Sequence, residues 1–262
     1  MNVLVVGDKC LDIFIYGDIH RISPEAPVPV FVPTHETKNE GMSKNVVNNV
    51  ESLEMTVYSI TNENGIIKKR YVDNRSNQMV LRVDDHDFCP RIDKIVINNI
   101  TNNYFYQKLG SKTNMDAIII SDYCKGFLHE EDIQYICENN NNVFVDTKKK
   151  LGTWIKSADF IKINELEYQK NHELLSDEGF EGKLIVTLGS EGCRYKDKIF
   201  PVEEVPVKDV SGAGDTFIAG LVRGYLETNN IESAIQFAQK CTTLVVQKHG
   251  VEAVTLEEIQ NG

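Results

Sequence analysis

Short apolar runs recur along the chain: "NVLVVGD", "DAIIISDY", "NVFVDTK", "ADFIKIN" and "KLIVTLG". Unbroken runs of this length predict strands buried on both faces, as in a parallel sheet. Each run ends at a polar or small residue, Asp8, Asp122, Asp146, Asn164 or Thr187. Between them, stretches such as "HEEDIQYICENN" and "ESAIQFAQKCTTLVVQ" place apolar residues at helical spacing. Strand alternating with helix predicts an α/β fold, a doubly wound and mostly parallel sheet. Ligands bind such sheets at the carboxyl ends of the strands. The polar strand ends therefore mark the edge on which to look for chemistry.

Two segments break the alternation. Residues 13–34, "IFIYGDIHRISPEAPVPVFVPT", hold four of the seven prolines. Proline cannot donate to a ladder, so short strands here belong at an edge. Residues 67–84, "IKKRYVDNRSNQMVLRVD", alternate apolar and polar around a turn at "DNRS" and predict a hairpin. The two segments are expected to pair into a small β lid; plain surface hairpins are the alternative. No internal repeat or linker appears, and the only low-complexity tract is "ENNNN", so residues 1–262 read as one domain.

Charge and composition narrow the partners. The net charge of −11 argues against a general nucleic-acid or anionic-membrane binder. A phosphorylated metabolite needs only a locally basic pocket and stays admissible. No apolar run reaches membrane-spanning length. The opening "MNVLVVGDKCLD" has no basic lead and reads as a first strand, not a signal peptide. Cys10, Cys89, Cys124, Cys137, Cys193 and Cys241 form no C-x-x-C pair. They are expected to be idle thiols in a reducing cytoplasm rather than disulfides or metal ligands.

The densest chemistry lies at 207–221, "VKDVSGAGDTFIAGL". Phe217, Ile218, Leu221, Val222, Tyr225 and Leu226 recur at helical spacing, so Gly212, Ala213 and Gly214 fall at the helix start. Backbone N–H groups there lack intrahelical partners, and the macrodipole is positive. Small residues let an anionic group approach that backbone closely. Asp215 beside such a hole suits a base that takes a proton from a hydroxyl attacking a phosphoryl group. The alternative is an ordinary glycine-rich helix start capped by Asp215.

"DVSGAGDTF" resembles the D-T/V-x-G-A-G-D-x-F pattern of the ribokinase-like, or PfkB, carbohydrate kinases. The opening "GDKCLDIFIYGDIHRISPEAPVPVF" resembles that of bacterial D-glycero-β-D-manno-heptose-7-phosphate kinases. "NQMVLRVD", "DAIIISDYCKGFL" and "VVQKHG" resemble segments of that subfamily in the same order, so the resemblance spans the chain. It implies ATP-dependent phosphorylation of a sugar hydroxyl, with Asp215 as base and Gly212, Ala213 and Gly214 as anion hole. It also implies that Asp12, Gly41 and Asn45 hold the sugar, the latter two matching G-G-x-x-N in "GMSKNVVNN". "NELE" matches N-x-x-E, which implies Asn164 near the nucleotide phosphates and Glu167 organising Mg²⁺ through water. Thr187, Gly189 and Gly192 match the nucleotide-binding turn, and Asp209 could line a monovalent-cation (K⁺) site. A sugar that already carries phosphate needs a cationic grip; Arg21 and Lys125 are the first candidates, with Arg75, Arg82 and Lys148 behind them.

The chain departs from the family pattern in three places. Met42 replaces the second glycine of G-G-x-x-N, and Cys124 stands where relatives usually carry glycine. Between "TVYSITN" and "GIIKKRYV" it lacks residues that related kinases use for a helix and a strand. A βαβ unit takes about 30 residues, so about one such unit is missing from one flank of the sheet. Substrate choice and subunit contacts could both change, so a kinase for another sugar and a non-catalytic sugar-phosphate or nucleotide binder stay open. A homodimer through the lid is expected, because small exposed sheets seek edge partners. Some relatives carry a fused nucleotidyltransferase domain; the chain ends at Gly262, so any later step is expected of a separate protein. No G-x-x-x-x-G-K-[ST], "HRD", "DFG" or H-E-x-x-H is present, which argues against P-loop and protein kinases and zinc hydrolases.

Overall fold

The apolar runs form strands as their pattern requires, in a computed structural model that describes residues 1–63, 65–106, 112–175 and 179–261. In chain order the first elements are β1 (Asn2–Gly7), β2 (Lys9–Ile22), β3 (Pro29–Met42), α1 (Ser43–Ser52), β4 (Thr56–Thr61), β5 (Ile66–Asp73), β6 (Met79–Asp85) and α2 (Lys94–Asn98). There follow β7 (Ile100–Thr101), β8 (Tyr104–Tyr106), β9 (Lys112–Asn114), β10 (Ala117–Asp122), α3 (Glu130–Asn139), β11 (Val143–Thr147), β12 (Phe160–Asn164) and α4 (Glu165–Leu175). The last are β13 (Leu184–Thr187), β14 (Cys193–Tyr195), β15 (Lys198–Phe200), α5 (Ala213–Thr228), α6 (Ile231–Val245) and α7 (Leu256–Asn261).

The large sheet runs β15-β14-β13-β12-β11-β10-β1-β4. From β13 to β4 all neighbours are parallel; β14 and β15 add an antiparallel edge. Alternate residues of each buried strand feed opposite cores. Leu4 and Val6 of β1 join Ile118, Ile133 and Ile136 on one face. Val3 and Val5 join Val46 and Val50 of α1, Ile218 and Leu221 of α5, and Ile235 of α6 on the other. Both faces are thus covered by helices, which is why these strands read as unbroken apolar runs.

A second sheet, β3-β2-β5-β6, forms the small lid. Its strands are longer than the segments 13–34 and 67–84 suggest. β2 and β3 are 14 residues each, and β3 continues to Met42 and straight into α1. Polar alternation hid that length, because most of β3 is exposed on both faces. The prolines fall where a ladder tolerates them, Pro24 and Pro27 in the bend after β2, Pro29 and Pro33 in β3 at the edge. β4 is the edge of the large sheet, and only residues 62–65 separate it from β5. That flank is where the sequence lacks the family's extra unit.

Candidate active site

α5 begins at the glycine-rich turn. Gly212 is its N-cap with φ +79°, and an added Cβ would lie 2.6 Å from Asn45 Nδ2. Only glycine fits both the left-handed backbone and the close approach. The expected three-amide hole is narrower than the motif implies. The Ala213 N–H donates to the Val210 carbonyl at 3.2 Å, closing the turn, so Ala213 contributes a small side chain rather than a free donor. Among the described residues, the Gly212 and Gly214 amides keep no backbone acceptor.

Asp215 follows one residue later and is 7% exposed. Its Oδ1 accepts from the Tyr123 hydroxyl at 2.6 Å and its Oδ2 from Asn45 Nδ2 at 2.7 Å. Burial pushes this carboxyl above its ordinary value, although both bonds favour the charged form. Burial, and then the Asp215 charge, pushes the Tyr123 phenol upward, so it remains a donor. A poised carboxylate, held by two donors and short of water, is suited to accept a proton from a hydroxyl group.

Asn45 ties this end to the lid. It sits buried in α1, where Asn49 Nδ2 bonds its carbonyl at 2.9 Å and Thr216 Oγ1 donates to Asn49 Oδ1 at 2.8 Å. α1 is entered through Gly41 and Met42. An added Cβ on Gly41 would lie 2.3 Å from Asp12 Oδ2, so Asp12 and Gly41 share one spot on the lid. Asp12 is ion-paired with Arg70 of β5. Both departures from the family's glycines fall on left-handed backbone: Met42 has φ +59° and Cys124 φ +58°. Each non-glycine residue there costs on the order of 1–2 kcal/mol.

The other polar strand ends form an ionic web. Asp8 accepts from the Tyr123 amide at 2.7 Å and the Phe127 amide at 3.2 Å, which fixes the "YCKGF" loop. Asp122 is bonded by Thr147 Oγ1 at 2.5 Å and by Lys149 Nζ at 2.9 Å. Asp146 receives Lys162 Nζ at 2.6 Å and Lys148 Nζ at 3.1 Å. Lys162 is missed by motif reasoning, yet its ammonium lies 2.8 Å from where a Gly214 Cβ would stand. A lysine inside the apolar run "ADFIKIN" was the available signal.

On the other side of α5 opens a cavity of about 450 Å³. Thr187, Gly189 and Gly192 line it as the turn motif implies, together with Ala213 and Gly214. Val202, Val205, Phe217 and Val246 supply apolar walls. An apolar slot that ends at an amide-rich helix mouth can take a flat ring with an anionic tail. Gly189 and Gly192 both adopt positive φ, at +61° and +94°.

Asn164 and Glu167 do not line that cavity. They form a reciprocal cap of α4: the Glu167 amide donates to Asn164 Oδ1 at 2.8 Å, and the Asn164 amide to Glu167 Oε2 at 2.9 Å. Lys148 Nζ bonds Glu167 Oε1 at 2.9 Å. A carboxylate offers about four acceptor sites, so room for bound water remains on both oxygens. Among the described residues, no group of three His, Cys, Asp or Glu could cage a metal. Asp209 Oδ1 accepts from the Ser211 amide at 2.8 Å, and backbone amides hold its carboxyl below the ordinary value. Lys125 pairs with Asp87 at 2.5 Å, and Arg21 and Arg75 are exposed.

A family model described as pfkB family carbohydrate kinase matches residues 94–258. The bifunctional protein HldE of a Nitratiruptor species is 32% identical over 306 residues, covering 99% of this chain and 64% of its own length. The bifunctional protein HldE of Helicobacter pylori (strain Shi470) is 29% identical over 307 residues, covering 98% of this chain and 65% of its own. The chain thus spans just under two-thirds of the length of these curated relatives. Among solved structures, ribokinase from Thermotoga maritima matches with a TM-score of 0.71 and 18% identity, over 99% of this chain and 98% of its own. Phosphofructokinase-2 from Escherichia coli, solved in complex with potassium, matches with a TM-score of 0.70 and 12% identity, over 99% of this chain and 96% of its own.

Proposed function

Because this chain belongs to the pfkB family of carbohydrate kinases, ATP-dependent sugar kinases, and has a ribokinase-like fold, we propose that its acceptor is D-glycero-D-manno-heptose 7-phosphate, phosphorylated at the anomeric hydroxyl to a 1,7-bisphosphate. The single observation that carries the phosphoryl-transfer part of this reading is Asp215, a buried carboxylate in the first turn of α5 whose Oδ2 accepts from Asn45 of the helix entered from the lid, next to Gly214 at the wall of the cavity. The heptose-type segments around "RISPEAPVPV" and "SDYCKG" support the choice of sugar.

In this reading the nucleotide ring enters the apolar cavity and its phosphates point toward Gly212 and Gly214. Asp12 and Asn45 orient the sugar so that one hydroxyl replaces a donor at Asp215. Asp215 takes the hydroxyl proton as the oxygen attacks the terminal phosphorus, and the open amides stabilise charge on the equatorial oxygens. Mg²⁺, held mainly by the nucleotide's own phosphates and organised through water by Glu167, would neutralise phosphate charge when bound. We assign Asn164 to the phosphate side of the same edge, since it lies beside Thr187 in the sheet. Asp209 is our candidate for a K⁺ site. The exposed Ile22, Val32, Met79 and Leu81 of the lid support pairing of two copies through it. All six cysteines are free thiols, which supports a cytoplasmic setting, and among the described residues no helix is long and apolar enough to cross a membrane.

A panel of sugars and sugar phosphates in a coupled ADP-release assay tests the reading. The 7-phosphate heptose is expected to have the highest kcat/KM; a stronger response to any unphosphorylated sugar sinks this choice of acceptor. The second reading, a kinase for another sugar, draws on the strained Met42 beside the sugar-binding stretch and on the short link after β4.

A further inference from the structure

Lys68 of β5 has Asp12 of β2 directly across from it on one side and Asp84 of β6 on the other. Paired residues share a face of a sheet, as do residues two apart along a strand. Lys68, Arg70, Arg82, Asp12 and Asp84 therefore all project from the lid face that also carries Cys10 and lies against Gly41. Both flanking carboxylates are already committed. Asp12 is paired with Arg70, and Asp84 accepts both arms of Arg82 at 2.7 and 2.8 Å. Lys68 is only 9% exposed; among the described residues nothing accepts a hydrogen bond from its ammonium or forms a close ion pair with it, although Asp84 attracts it from further off. That nitrogen nevertheless touches open space, since the fully enclosed side-chain atoms without a partner are Ser43 Oγ and Arg223 Nε.

A lysine held this far from water with no hydrogen-bond acceptor, beside carboxylates already claimed by arginines, is destabilising unless a further anion meets it. The surroundings are also locally basic. Lys125, paired with Asp87 at 2.5 Å, lies within electrostatic reach of Asp84. Four cations (Lys68, Arg70, Arg82, Lys125) thus face three carboxylates (Asp12, Asp84, Asp87), an excess of one positive charge in a chain of net −11.

We propose that Lys68, with Arg70 beside it, receives a phosphoryl substituent already present on the acceptor sugar. A sugar anchored by hydroxyls on Asp12 brings its remote end to the next strand, where Lys68 stands. A neutral sugar leaves the ammonium without a hydrogen-bond acceptor of its own, so the residue discriminates between the two classes of acceptor. This inference rests on the sugar-phosphate reading above, and it moves the anion grip from Arg21 and Lys125 to the buried lid lysine.

The test compares wild type with Lys68→Met on heptose 7-phosphate and on the unphosphorylated heptose. Loss of one charge-assisted hydrogen bond is expected to raise KM for the phosphorylated sugar about 10- to 150-fold. The KM values for ATP and the neutral heptose stay as in wild type, and Lys68→Arg restores most of the loss. Inorganic phosphate should compete with the phosphorylated acceptor on wild-type enzyme without altering KM for the neutral heptose; this arm does not depend on any variant folding. An unchanged KM in a folded Lys68→Met enzyme, or no competition by phosphate, overturns the role of Lys68 while the choice of a phosphorylated acceptor stands. A wild-type enzyme that prefers the neutral heptose overturns both.

Discussion

Replacing Asp215 by Asn separates a catalytic base from a structural cap, because the two roles predict opposite effects on stability. The substitution is nearly isosteric. Its Oδ1 can accept from Asn45 Nδ2 in place of the carboxylate, and its Nδ2 can donate to a rotated Tyr123 hydroxyl, so the bonds at 2.7 and 2.6 Å have replacements. What disappears is the buried charge. Burial holds the Asp215 carboxyl above its ordinary value of 3.8. A group whose folded value is raised contributes stability below the unfolded value and loses it as pH rises through the folded value. At neutral pH the ionised Asp215 therefore weakens the fold, and the Asn variant should melt no lower, and rather higher, than wild type. The difference should vanish on acidification toward the ordinary carboxylate range. Turnover should fall about 10²- to 10⁴-fold, or about 3–5 kcal/mol of barrier. Thermal melts from pH 4 to 8 beside a coupled ADP-release assay measure both quantities. Near-normal turnover together with a lowered melting temperature would refute the base and leave a helix cap.

Two further outcomes follow from the same geometry. Tyr123→Phe removes a bond that favours the charged Asp215 in the free protein, so the acid limb of the kcat/KM profile should move to higher pH; an unmoved profile would show that Tyr123 does not tune the base. Gly212→Ala meets a φ of +79° and a 2.6 Å contact with Asn45. It should lose at least about 1–2 kcal/mol of stability, and turnover with it, since Asn45 must shift away from Asp215; a variant that melts and turns over like wild type would show that the turn can relax.

Much of the site was legible as spacing. The run before α5 announced both the glycine N-cap and the carboxylate behind it, because a helix start is written in neighbouring residues. Met42 and Cys124 stood out where the family keeps glycine, and their positive φ values supply the reason. Other features were not legible. The Ala213 amide is consumed by Val210 in a turn that composition does not encode. Asn164 and Glu167 match a nucleotide motif and a capping box equally well, since both need the same residue types at the same spacing. Lys68 and Arg70 resembled an ordinary solvated hairpin until β2 and β6 flanked them with carboxylates claimed by arginines.

The sequence alone determined the alternation of strand and helix, the carboxyl edge that carries the polar strand ends, and the helix mouth at Gly212. Each of these depends on the period of side chains along a few turns or pleats. Tertiary structure alone decided which groups hold Asp215. Asn45 lies 170 residues away and Tyr123 92 residues away. It also decided that, among the described residues, a lid lysine meets no hydrogen-bond acceptor. Those contacts join distant segments through packing, and a periodicity read along one strand carries no information about the strand that will lie beside it.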